Sequence, residues 1–148
     1  MATTTTLDRE LLMDLIQKNT GWSESVIRSF SVESLKEIYS YIVKKQFVSK
    51  ARITYTVGRG GGLRIHLPVK IREMLGLKPG SRFGLKTTVN KEVIIDPDSD
   101  KLILKMATSG NITLPLKLID RKIIREVDDV LIRVVNGKIV FKSFTYYQ

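Results

Sequence analysis

The chain has 148 residues, with 25 Lys+Arg, 15 Asp+Glu, one His and no Cys. That length suits one domain, or one domain with a small appendage, and a 43% hydrophobic content is enough for a packed core. The lack of Cys excludes a disulfide framework, thiolate zinc sites and Cys nucleophiles, and the formal charge of +10 points to a polyanionic partner, nucleic acid first.

Residues 1–6 form a Thr run without periodicity and are expected to be a disordered tail. They carry no charged-then-apolar signal pattern, and no apolar run approaches the ~18 residues of a membrane span. A cytoplasmic protein without a membrane partner is expected. From Leu7 onward, Leu11, Leu12, Leu15 and Ile16 mark one face of a helix, and Gly21 is placed to end it. Ser23 can cap a short helix with Val26 and Ile27. Ser31 can cap a longer one, from Val32 to about Gln46, in which Leu35, Ile38, Tyr39, Ile42 and Val43 recur at helical spacing. Residues 7–49 are therefore expected to be a helical module. Residues 1–50 carry seven basic and six acidic side chains, a poor balance for gripping phosphates. A module for oligomer or protein-partner contacts is favoured over a DNA-reading helix pair.

From residue 50 the pattern becomes strand-like, as in Arg52-Ile53-Thr54-Tyr55-Thr56-Val57, and it repeats. At an offset of 47, Ile65, Leu67, Pro68 and Lys70 fall on Ile112, Leu114, Pro115 and Lys117. Phe83 and Leu85 fall on Val130 and Ile132, and Lys86 on Arg133. The last strand, Lys91 to Ile95, fits Gly137 to Phe141 after a one-residue deletion. The first strand, Arg52 to Val57, is laid on Lys101 to Met106, with a longer Gly loop in the first copy. Each copy reads as strand, turn, short strand ending at Leu-Pro, a short helix (Val69 to Leu75, or Leu116 to Ile124), then two strands. Lys78-Pro79-Gly80 is a strong turn signal, and Asn136-Gly137 is a preferred hairpin dipeptide. A unit of about 45 residues is too small to close a core alone. Two units exchanged about a pseudo-two-fold axis can form one barrel with few exposed edges. The expected fold is α+β: a helical module, then a barrel over residues 50–145, with copy one at 51–97 and copy two at 101–144.

The words Leu63-Arg64-Ile65-His66-Leu67-Pro68-Val69-Lys70-Ile71-Arg72-Glu73-Met74-Leu75-Gly76-Leu77-Lys78-Pro79-Gly80-Ser81-Arg82-Phe83 carry a resemblance. They are similar to the AbrB/MazE/SpoVT group of swapped-hairpin DNA-binding domains. Copy two resembles it more weakly. It keeps Ile112, Leu114 and Pro115 but has Asn111 in place of the basic residue, and it lacks the Leu-Gly-Leu-x-x-Gly word. Tandem halves in one chain are similar to the MraZ branch, without that branch's acidic-to-arginine helix signature. The resemblance implies a transcription regulator that binds double-stranded DNA, localises to the nucleoid and forms a homo-oligomer, such as a dimer. It implies DNA contacts from Arg64, Lys70 and Arg72, with Arg59 in the glycine turn as an addition. In copy two it implies Lys117, with Arg121 and Lys122 close by. Arg suits such a role because its planar fork fits phosphates and guanine edges.

Other constellations are weaker. Gly58-Arg59-Gly60-Gly61-Gly62 lacks the Lys-Ser/Thr of a phosphate-binding loop, and Asp96, Asp98 and Asp100 lack the glycine of a calcium loop. His66 alone makes no metal site. Tyr146-Tyr147 reads as a docking aromatic tail or a disordered end rather than a base-stacking pair. No enzyme, metal or cofactor is expected. The alternatives kept open are an antitoxin-like or other interaction module whose helices in residues 7–49 bind a protein, and an RNA-binding protein.

Overall fold

Helix α1 spans Ala2–Thr20 in a computed structural model that describes residues 2–56, 62–99, 104–107 and 110–148. The Thr run expected as a disordered tail is instead helical backbone. Extending a helix that Leu12 and Ile16 already anchor is far easier than nucleating one, so weak helix formers are carried along. Gly21 adopts φ +72 and donates its N–H to Gln17 O at 2.8 Å, ending the helix as expected. Helix α2 (Glu24–Arg28) is capped by Ser23, whose hydroxyl accepts the Val26 N–H. Helix α3 (Val32–Val43) is capped by Ser31 through the Ser34 N–H. It stops earlier than the expected Gln46, where Lys45 turns to φ 58.

These helices and the last residues form one of two compact units, comprising Met1–Ser49 and Thr145–Gln148. Its core is Leu12, Met13, Ile16, Trp22, Ile27, Phe30, Leu35 and Ile38. The C-terminus closes it. Tyr147 is 1% exposed and its ring lies 6.0 Å from that of Phe30, which in turn meets Trp22 edge-on at 6.3 Å. The Ser31 N–H donates to Tyr147 O at 2.9 Å. The aromatic tail is thus docked in a core.

The second unit, Lys50–Phe144, contains two short helices and an antiparallel sheet curled into a half-barrel. Its strands are β1 (Phe47–Thr56, entering from the first unit), β2 (Gly62–His66), β3 (Arg82–Thr87), β4 (Val93–Asp96), β5 (Leu104–Lys105), β6 (Asn111–Leu114), β7 (Asp128–Val135) and β8 (Lys138–Ser143). Helix α4 (Val69–Leu75) follows β2, and α5 (Lys117–Asp120) follows β6. The strand order is β5-β3-β4-β8-β7-β1-β2-β6. The two-residue β5 pairs with β3 at one end, and a single antiparallel bridge, Met106–Ile112, links the residue after β5 to β6. The hairpin of β1 and β2 therefore lies between β7 and β6, and the hairpin of β3 and β4 between β5 and β8. With the Met106–Ile112 bridge joining the two ends, exchanging every strand for its counterpart gives the same cyclic order read in reverse.

The register has the same symmetry. Ile65 and Ile112, counterparts at the offset of 47, face each other across β2 and β6. Arg64 faces Thr113 and His66 faces Asn111, which are the same two positions seen from either copy. Ile94 and Val140, counterparts across the one-residue deletion, face each other across β4 and β8. Both ladders between the copies are thus centred on equivalent residues. The alignment of the first strands needs correction: Ile53 pairs with Ile65, whereas Met106 bridges to Ile112, so Met106 holds the place of Ile53. Residues 57–61 and 100–103 lie outside the described residues.

Copy two keeps local geometry that its sequence hides. Its helix is shorter than expected, α5 ending at Asp120 rather than Ile124, yet it stops as α4 does. Leu77 N–H donates to Arg72 O at 2.8 Å and Gly76 N–H to Glu73 O at 3.3 Å. Ile123 N–H donates to Leu118 O at 2.9 Å and Lys122 N–H to Ile119 O at 2.9 Å. Both sets form the same left-handed helix stop, with Gly76 at φ 64 and Lys122 at φ 58. The turns before β3 and β7 also match. Ser81 Oγ accepts the Lys78 N–H at 2.9 Å, and Asp128 Oδ2 accepts the Arg125 N–H at 3.1 Å. Asp128 is only 2% exposed and also receives the Arg125 guanidinium on Oδ1 at 3.2 Å, which satisfies a buried carboxylate.

A side chain at left-handed φ costs about 1–2 kcal/mol, part of which glycine gives back through its own backbone entropy. Lys122→Gly should therefore stabilise the protein by about 0.5–1 kcal/mol, read as a higher urea midpoint with an unchanged slope.

Candidate nucleic-acid interface

In β1, β2 and β6 the residues alternate between core and surface. Ile53, Leu63, Ile65, Ile112 and Leu114 point inward and are buried. Arg52, Thr54, His66 and Thr113 are exposed, and Arg64 and Asn111 are half-buried. This outer surface holds Lys50, Arg52 and Arg64, with Arg52 paired to Asp129 of the neighbouring β7. His66 Nδ1 and Asn111 Oδ1 lie 2.9 Å apart, joining the two copies beside the Ile65–Ile112 pair.

The expected contact residues fall into distinct classes. Arg64 sits on β2 next to the symmetric pair, opposite Thr113. Lys70 is exposed on the first turn of α4, and Lys117 is its exposed counterpart on α5. Because β2 and β6 are antiparallel, these lysines follow opposite ends of one short ladder. Arg121 is exposed one turn beyond Lys117, on the same helical face, and its carbonyl accepts Lys91 Nζ at 3.4 Å. The counterpart of Arg121 in copy one is Met74, so the copy-two end carries the extra charge. Arg59 lies outside the described residues.

Arg72 has a structural engagement that its position in the motif does not reveal. Its Nε donates to Leu67 O at 3.1 Å. Its guanidinium lies against Gly110, where a Cβ would come within 2.7 Å of Cζ. Gly110 is also held at φ +84, and its carbonyl accepts the Leu67 N–H at 3.1 Å. Arg72 therefore ties the end of β2 to the turn before β6. The signal for this was the glycine in copy two facing a long cation in copy one, a pairing invisible without the register.

Among the described residues, five cations lie within ion-pair distance of a carboxylate. Arg28 meets Glu24 at 2.6 Å and Glu10 at 3.7 Å, and Arg52 meets Asp129 at 3.8 Å. Arg125 meets Asp128 at 3.2 Å, Arg133 meets Glu92 at 2.9 Å, and Lys138 meets Asp96 at 3.6 Å. The Glu24 hydrogen bond, with the charges of Glu10 and Glu24, raises the Arg28 pKa above its ordinary value. Arg64, Lys70, Lys117 and Arg121 form no ion pair with the described residues, so their charge remains available to an outside anion.

The helical unit contrasts with this. It carries six basic and six acidic side chains, while residues 50–144 carry 19 and nine. A small cavity of about 100 Å³ between α1 and α2 is lined by Glu10, Asp14 and Glu24 with Met13, Gln17 and Ile27, which disfavours phosphate there. Among the described residues no cluster of His, Asp and Glu could hold a metal ion, and no helix is long and apolar enough to cross a membrane. No protein-family model, curated protein or solved structure matches the chain.

Arg72→Ala should cost about 1–2 kcal/mol of stability, because it strips the Leu67 carbonyl of a charged donor and leaves a gap over Gly110. Lys70→Ala should stay within about 0.5 kcal/mol of the parent, as expected for a solvated side chain. Urea denaturation of the two variants without DNA separates these roles.

Proposed function

We propose that the protein is a regulator that binds double-stranded DNA through residues 50–144, with no catalysis. The observation that carries this is the placement of Lys70 and Lys117. They are symmetry-related, solvent-exposed and unpaired among the described residues, on a unit with 19 basic and nine acidic side chains. Duplex DNA offers a local two-fold axis between its antiparallel strands, so a two-fold pair of cations has two equivalent phosphate tracks to meet. Arg64 lies beside the axis and Arg121 extends the copy-two end. Arg72 acts mainly by holding the β2 end in place.

The strand order supports the swapped-hairpin reading, since each hairpin of copy one lies between strands of copy two. The charge-balanced helical unit is assigned to contacts with protein, a second copy first, in keeping with the exposed Leu11 and Val43 on its helices. Nucleoid association follows from the DNA reading.

Fluorescence anisotropy with duplex DNA over a salt series tests this. The combined variant Arg64→Ala, Lys70→Ala, Lys117→Ala should bind at least about tenfold more weakly at moderate salt. Its plot of log affinity against log salt should flatten by about three, because each lost phosphate contact removes about 0.9. Unaltered affinity and slope would overturn the assignment. RNA of the same sequence competing better than the duplex would move the proposal to RNA.

A further inference from the structure

Val69 and Leu116 are counterparts at the offset of 47, and both are exposed, at 56% and 48%. Each follows a proline, Pro68 or Pro115, and precedes the exposed Lys70 or Lys117. The next residue in each copy, Ile71 or Leu118, is 0% exposed. Its N–H donates to the proline carbonyl, at 3.0 Å for Ile71 and 3.2 Å for Leu118. Both copies therefore build the same first turn, in which one apolar side chain anchors inward and an apolar residue and a lysine are left in solvent.

A single exposed apolar residue is ordinary on a protein surface. Here the arrangement occurs twice, at positions related by the symmetry of the Ile65–Ile112 pair, each time beside a lysine with no acidic partner among the described residues. Points related by a two-fold axis lie at equal height along it, so a symmetric ligand approaching along the axis meets both tips together. The lysines select a polyanion. On a DNA duplex, the apolar group within reach of a side chain whose neighbour meets the backbone is the thymine C5-methyl, on the major-groove edge.

We propose that Val69 and Leu116 contact thymine methyl groups in the major groove, giving the protein a preference for A·T pairs beneath its two tips. This rests on the DNA reading above and adds to it a source of base selection. The lysines position the tips without reading sequence, while the apolar side chains discriminate.

The test compares an alternating A·T duplex with the same duplex carrying deoxyuridine for thymidine, which removes only the methyl groups. Parent protein should bind the thymine duplex about fourfold more tightly for each methyl group buried, or about tenfold or more with both tips engaged. Val69→Ser with Leu116→Ser should bring the two duplexes within about twofold, with the salt dependence unchanged because the lysines remain. Val69→Ala with Leu116→Ala, checked by thermal melting, guards against a local folding defect and should narrow the preference too. Equal binding of both duplexes by the parent, or a preference kept by both variants, overturns the thymine assignment and leaves DNA binding standing. Failure of the parent to bind either duplex at low salt overturns both.

Discussion

The pairing of β2 with β6 is the constraint from which the rest of the second unit follows. It places Ile65 against Ile112, two residues that hold the same position in two copies of one pattern. A half-unit of about 45 residues leaves its apolar face and strand edges open, and burying them is the main gain available to it. An equivalent half supplies a matching face, and pairing through equivalent residues lets both halves use the same geometry. The second ladder, centred on Ile94 and Val140, repeats the solution on β4 and β8. With these ladders in place, α4 and α5 are set at opposite ends of one strand pair, and the lysines on their first turns become a symmetric pair.

The two copies are more alike in backbone than in sequence. The helix stop uses Gly76 in one copy and Lys122 in the other, and the following turn uses Ser81 in one and buried Asp128 in the other. In each case the hydrogen bond is kept while the residue at that position changes: backbone to backbone at the helix stop, side chain to backbone at the turn. The surface has diverged further: Arg64 corresponds to Asn111, Met74 to Arg121, and Arg72 to the apolar Ile119.

Much of this was legible in the sequence because the signals were local or periodic. Ser23 and Ser31 cap the helices, Asn136-Gly137 turns the last hairpin, and the offset of 47 aligns counterparts that do pair. The chain boundary near residue 50 follows the change from helical to alternating spacing. What escaped depends on contacts distant in sequence. The Thr run joins α1 because a helix already anchored downstream extends cheaply. The place of Ile53 is taken by Met106, since a loop between strands can lose residues without altering the ladder. Arg72 looked like a surface contact because nothing near it in sequence shows that its guanidinium covers Gly110, 38 positions later. Conversely, Lys70 and Lys117 were legible as a pair, because repeat position alone determines their relationship.

Net charge takes on meaning only after local pairing is removed. Arg28, Arg52, Arg125, Arg133 and Lys138 each have a carboxylate nearby, so their contribution to the distant field is largely cancelled. Among the residues that form no ion pair with the described residues are Arg64, Lys70, Lys117 and Arg121, at the tips and outer surface of the β2–β6 pair. The ladder that helps close the core also carries Arg64 on its outer side, so a one-residue slip of β2 against β6 would disturb both. A slip of β2 would turn Ile65 outward and bury Arg64, coupling core packing to the exposure of that charge through a single ladder.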